Sequence, residues 1–143
     1  MLELLRGDRD VVRVGHRGAA ALAPENTLAA IEAAAAHGVD VVEVDVLRGR
    51  GGGLVLAHGP EVPADAPPLG DALALVHRLG LAVQLDVKLP GIEGAVAEAV
   101  AACHELGAAV YVWTVNDRAT AAALVEAGAD GIITDDPRIL APF

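Results

Sequence analysis

Aromatic side chains are almost missing from this 143-residue chain: one Trp, one Tyr and one Phe make up 2% of it, while 54% of its residues are apolar. Ala, Val, Leu and Ile must therefore build the core. Cysteine is as scarce. Cys103 stands alone, which excludes an internal disulfide, leaves no partner for a thiolate metal site and suits a reducing compartment. Bases are few as well, 10 Lys and Arg against 20 Asp and Glu, and the net charge of −10 repels a polyphosphate backbone. That field argues against nucleic acid as a partner, although a phosphorylated small molecule stays accessible wherever local cations reverse the sign. Long uncharged apolar runs are also absent. Mean hydropathy is +0.47, yet no run approaches the ~18 residues a membrane-spanning helix needs. The opening MLELLRGDRD mixes acids with bases and lacks the apolar stretch of a signal peptide. These absences predict a soluble, cytoplasmic protein without a transmembrane segment.

What is present reads as one α/β domain over residues 1–143, with no linker or low-complexity stretch. Val11–Val14 reads as a buried strand ending in Gly15-His16-Arg17-Gly18, and Asn26 or Thr27 as the N-cap of an Ala-rich helix stopping near His37-Gly38. Val39–Leu47 is a β-branched second strand, Gly49–Gly53 a glycine-rich turn and Leu54–His58 a short strand. The segment Gly59–Pro68 holds Pro60, Pro63, Pro67 and Pro68 and reads as a loop. Helices are expected over Leu69–Leu79, Gly91–Leu106 and from Asn116-Asp117 to Gly128, and strands over Leu81–Val87, Ala108–Val115 and Gly131–Thr134. Strands alternating with helices are the pattern of βα units on a parallel sheet. HGVDVVEV and AGADGIIT share a Gly-x-Asp lead into a strand.

In such architectures the reactive groups lie at the carboxyl ends of strands. The polar residues follow that rule: His16 and Arg17 end the first strand, Glu43 and Asp45 lie late in the second, and His58 ends the short one. Asp86 and Lys88 end the next, Trp113 to Asn116 the following one, and Thr134 to Asp136 the last. Glu43 and Asp45 are two apart on an extended strand, so both carboxylates share one face. Two like charges on a buried face require something positive between them. Either a divalent cation meets that need, since hard oxygen ligands favour Mg²⁺ or Ca²⁺, or Arg17 and Lys88 pair with the acids in a structural network. His16 and His58 end strands expected to flank the acidic pair, where two imidazoles can divide general-acid and general-base work. Arg17 offers a planar fork for two phosphate oxygens and Lys88 a point charge. His37, His77 and His104 fall near helix C-termini, where imidazolium complements the dipole, and carry no expected catalytic role.

Taken together, VGHRG at 14–18, PENT at 24–27, VVEVDV at 41–46, LVLAH at 54–58, DVK at 86–88, VWTVND at 112–117 and GADGIITDDP at 128–137 make the chain resemble the glycerophosphodiester phosphodiesterase family. The resemblance implies a TIM (β/α)₈-barrel type of fold and metal-dependent hydrolysis of small glycerophosphodiesters to an alcohol and glycerol 3-phosphate. It implies His16 and His58 as the acid–base pair, Glu43, Asp45 and Asp86 as ligands of Mg²⁺ or Ca²⁺, Arg17 and Lys88 on the phosphate, Trp113 lining the pocket and Glu25 in support. It also implies attack by the neighbouring glycerol hydroxyl, giving a cyclic phosphate that water then opens.

The chain departs from the family pattern at Asp86, where a Glu is usual, and at Gly59, where an Asp usually follows the histidine. The length, well below the ~250 residues of a closed barrel, falls short in the middle. Between DVK and VWTVND only one helix is expected, so about five or six strands remain, matching a barrel's first three and last two βα elements. A natural deletion, a truncated sequence and a piece that completes its barrel as a homo-oligomer all give this pattern. Two other activities share parts of the residue set: a phospholipase D-type lyase, and a non-catalytic binding module that keeps the phosphate and metal pocket.

Overall fold

The computed structural model describes residues 11–87, 93–105, 109–141 and 143. Ten named elements follow in chain order: β1 (Val14–Gly15), α1 (Leu28–Ala36), β2 (Val41–Arg48), β3 (Leu54–Leu56), α2 (Leu69–Arg78), β4 (Ala82–Val87), α3 (Glu93–Glu105), β5 (Val110–Trp113), α4 (Arg118–Glu126) and β6 (Gly131–Ile132), with a 3₁₀ turn at Pro137–Leu140. The sheet has six strands. Five are parallel, in the order β1-β2-β4-β5-β6, and β3 folds back antiparallel onto β2. Among the described residues the sheet path ends at β1 and β6. No helix among them is long and apolar enough to cross a membrane.

Period-two alternation sorts the strands into two faces. Val42, Val44 and Val46 of β2, Val83 and Leu85 of β4, and Val110 and Val112 of β5 join one apolar cluster with the helices. Each helix contributes a stripe at helical spacing: Ile31 and Ala34 of α1, Leu69, Leu73 and Val76 of α2, Val96, Val100 and Cys103 of α3, and Ala121 and Leu124 of α4. No aromatic residue belongs to this cluster, as the composition requires. The intervening residues, Glu43 and Asp45 on β2, Gln84 and Asp86 on β4, and Tyr111 and Trp113 on β5, take the opposite face. One face is packed against the helices and the other carries the strands' acidic, amide and aromatic residues.

The two Gly-x-Asp segments do the same work. Gly38 and Gly128, at φ of 72° and 94°, turn the chain out of α1 and α4. The next aspartate but one then grips the start of a neighbouring strand at two points. Asp40 donates its N–H to the Arg13 carbonyl at 2.8 Å and accepts the Arg13 N–H on its carboxylate, also at 2.8 Å. Asp130 repeats both bonds on Val110, at 2.9 and 2.8 Å. This device fixes the register of a parallel pair where no hairpin can.

Most elements are shorter than the sequence predicts. The first strand begins at Val14 rather than Val11, β3 ends at Leu56, β5 covers Val110–Trp113 and β6 only Gly131–Ile132. Apolar runs mark burial, whereas strand ends are set by where ladder partners stop. β1, for instance, pairs only at Val41 and Val42. The helix expected between DVK and VWTVND is found as α3, 13 residues long.

Candidate active site

The site grows from the turn after β1. Gly18 donates its N–H to the Glu43 carbonyl at 3.1 Å, and a Cβ on Gly18 would lie 2.6 Å from the Ala30 carbonyl carbon, so only glycine lets the turn nestle against α1. Arg17, at φ 51°, stands in the left-handed region that few non-glycine residues adopt. That conformation aims its backbone N–H at Glu43 Oε2, 2.8 Å away. Its guanidinium bridges two more acids: Nη1 lies 2.9 Å from Glu25 Oε2, and Nε 3.1 Å from Asp45 Oδ2. The Nε contact is an ion pair without hydrogen-bond alignment, since that N–H has no geometric acceptor. Burial lowers the Arg17 pKa, but the Glu25 hydrogen bond and the charges of Asp45, Glu25 and Glu43 outweigh it and raise the value above normal.

Glu43, Asp45 and Asp86 are buried, and each offers a carboxylate oxygen within 4.8 Å of the others'. Asp45 and Asp86 are directly paired across β2 and β4. Burial pushes the Glu43 pKa up, against the Arg17 N–H bond and His16, and the charges of Asp45 and Asp86 push it further. Three hard oxygen donors, desolvated and mutually repelling, are a set that could hold a divalent cation.

The segment Pro24–Thr27 uses its polar residues one by one. Glu25 holds Arg17. Thr27 is the N-cap of α1, accepting the Ala30 N–H at 3.1 Å, which settles the choice between Asn26 and Thr27. Asn26 turns the other way: it is buried, sits at φ 56° and bonds Asp45 twice. As a string, the sequence offers Asn26 no role beyond a cap. Its neighbours gave a signal, because Thr27 alone suffices as the cap and asparagine is the non-glycine residue most at ease at positive φ.

His16 follows β1 and His58 follows β3, the two strands that line the same edge of β2. Both histidines are exposed. His58, Glu25 and Asn26 line a cavity of about 310 Å³ together with Pro24, Leu56 and Pro67. Trp113 pairs with Asp86 across β4 and β5. Its indole N–H is buried without a hydrogen-bond partner among the described residues. Beyond it, Asn116 ties the last two strand ends together, donating to Asp135 Oδ2 at 2.8 Å and accepting from the Asp135 N–H at 3.0 Å and the Thr134 hydroxyl at 3.1 Å. Lys88 lies outside the described residues. His37, at the α1 C-cap, places Nδ1 2.8 Å from the Ala33 carbonyl, a structural use as expected.

The described residues thus form a helix-backed parallel sheet whose other face carries an acid cluster on β2 and β4. The match to the model of the glycerophosphoryl diester phosphodiesterase family runs over residues 16–67 and 62–139. The chain belongs to that family, whose members are phosphoric diester hydrolases, and its sheet is a shortened form of the family's barrel. Among solved structures, the glycerophosphoryl diester phosphodiesterase domain of the Mycobacterium tuberculosis protein Rv2277c matches at TM-score 0.66 and 20% identity, covering 94% of this chain and 62% of that one. An Oleispira antarctica phosphodiesterase in complex with the product sn-glycerol-3-phosphate matches at TM-score 0.53 and 18% identity, covering 90% and 94%. At these identities the likeness is one of fold. Comparison with curated proteins finds no match.

Proposed function

We propose that this chain hydrolyses glycerophosphodiesters to an alcohol and glycerol 3-phosphate with a bound Mg²⁺ or Ca²⁺. The observation that supports this most is the convergence of Glu43, Asp45 and Asp86 on one face of β2 and β4, beside the turn that carries His16 and Arg17. In this reading Glu43, Asp45 and Asp86 hold the cation, which supplies charge stabilisation at the phosphoryl oxygens. His16 and His58 divide the proton work. One accepts the proton of the glycerol hydroxyl that attacks phosphorus, and the other protonates the departing alcohol oxygen; water then opens the cyclic phosphate. Arg17, with Lys88, balances the phosphate's charge. Trp113 walls the pocket, Glu25 steadies Arg17, and the cavity beside His58 gives the alcohol room. In this reading the chain is a single cytoplasmic domain acting on a small-molecule diester.

The test is product analysis. Chelator-treated protein given glycerophosphocholine and then Mg²⁺ or Ca²⁺ is expected to release glycerol 3-phosphate only after the metal is restored. Release that ignores both chelation and restoration overturns the metal assignment, and release of a cyclic phosphate as the end product favours the lyase.

A further inference from the structure

Asn26 is buried, 4% exposed, and its side-chain oxygen, side-chain nitrogen and backbone N–H are all hydrogen-bonded. Its Nδ2 donates to Asp45 Oδ2 at 2.8 Å, and its Oδ1 accepts the Asp45 backbone N–H at 3.0 Å. Its own N–H donates to the Arg17 carbonyl at 3.1 Å. Arg17 in turn gives its N–H to Glu43 Oε2. Two left-handed residues, at φ 51° and 56°, are thus joined by a hydrogen bond, and each holds one of the two carboxylates of β2.

The chemistry of position 26 is narrow. The backbone needs a residue tolerant of positive φ, which leaves glycine, asparagine and aspartate as the common choices. Asp45 needs a donor for its oxygen and an acceptor for its N–H, from one side chain. Asparagine has both, aspartate lacks the donor and glycine lacks the side chain. The terminal torsion of an aspartate is soft, and the Asn26 bond to Oδ2 acts with the Arg17 Nε contact to the same oxygen, 3.1 Å away, to hold the Asp45 carboxylate against repulsion from Glu43 and Asp86.

We infer that Asn26 is a positioning residue for the cation: its side chain sets the direction of the Asp45 carboxylate, and its backbone fixes the Arg17 turn that sets Glu43. This rests on the reading of Glu43, Asp45 and Asp86 as cation ligands. Partners that orient metal ligands are worth about 10–100-fold in metal affinity.

The experiment measures Mn²⁺ affinity by electron paramagnetic resonance, with thermal unfolding followed by circular dichroism. Asn26→Gly keeps the left-handed backbone and removes only the side chain. The expected result is a folded N26G protein that binds Mn²⁺ at least about 10-fold more weakly than the wild type. A folded N26G protein with wild-type affinity overturns the inference and leaves the ligand assignment standing. Wild type that binds no Mn²⁺ overturns the ligand assignment itself, and the inference with it. Should N26G not fold, the wild-type chain still decides. Its side-chain amides are those of Asn26, Gln84 and Asn116, so their ¹⁵N–¹H signals can be followed one by one during Mg²⁺ titration. The Asn26 NH₂ pair is expected to shift with metal occupancy while that of Asn116 stays put. An Asn26 pair unmoved at saturating Mg²⁺ contradicts the role.

Discussion

Asp45 and Asp86 face each other as register partners on β2 and β4, 1% and 7% exposed, with no residue between them in the ladder. Like charges directly opposite destabilise a sheet, and burial removes the water that would screen them. Arg17 offsets part of the charge at Asp45, and a cation held by three carboxylates offsets more. Added Mg²⁺ should therefore raise the unfolding temperature of the wild type, by the equivalent of about 2.7 kcal/mol at a hundredfold excess over Kd. Asp86→Asn should lose most of that gain. Scanning fluorimetry with and without Mg²⁺ reads both, and equal gains in the two proteins would remove Asp86 from the ligand set.

Asp117 caps α4 and titrates. Its carboxylate takes hydrogen bonds from the Thr120 and Ala119 N–H groups, and those from Thr120 do most to hold its pKa below the ordinary aspartate value of 3.8. A depressed folded value means the cap stabilises the protein above the ordinary pKa and is lost as pH falls through the folded one. Asp117→Asn keeps an acceptor but does not titrate. Between pH 5 and pH 2 the wild-type unfolding temperature should fall more steeply than that of D117N; parallel curves would show that the cap's charge contributes nothing.

Thr27→Ala removes the α1 cap bond to Ala30 and should cost about 1 kcal/mol, a drop of roughly 2–4 °C at this size. Denaturant melts measure it directly. An unchanged midpoint would mean that packing of Ile31 and Ala34 alone fixes the helix start.

Leu85 is 0% exposed at the centre of the helix-facing side of β4. Leu85→Ala leaves a cavity in a core with no large ring to relax into it, so a loss of about 2–5 kcal/mol is expected. Equilibrium urea unfolding gives the value. A loss under about 1 kcal/mol would mean the sheet–helix interface is loosely packed.

Much of this was legible in the sequence because it depends on local pattern. The βα alternation, the pairing of Glu43 with Asp45 on one face and the helix stops at Gly38 and Gly128 follow from period and backbone chemistry, and each is found. The antiparallel return of β3 onto β2 and the short β1 and β6 depend on ladder partners distant in sequence. Asn26 was missed for a related reason. As a string, PENT reads as a helix start, and only the approach of β2 shows that one of its residues faces Asp45. The ion pair of Arg17 with Asp45 is one of the two arrangements the sequence leaves open for the acids, whereas the Arg17–Glu25 contact depends on how the turn after β1 folds.

Glycerol 3-phosphate release from glycerophosphocholine, wild type against His16→Ala in the presence of Mg²⁺ or Ca²⁺, tests the central claim most directly. A positioned general acid or base contributes about 10²–10⁴-fold, so the wild type should turn over in metal, stop when metal is chelated, and exceed H16A by at least about 100-fold. Wild-type protein that shows no metal-dependent turnover above H16A contradicts the claim and leaves a binding module in a phosphodiesterase fold.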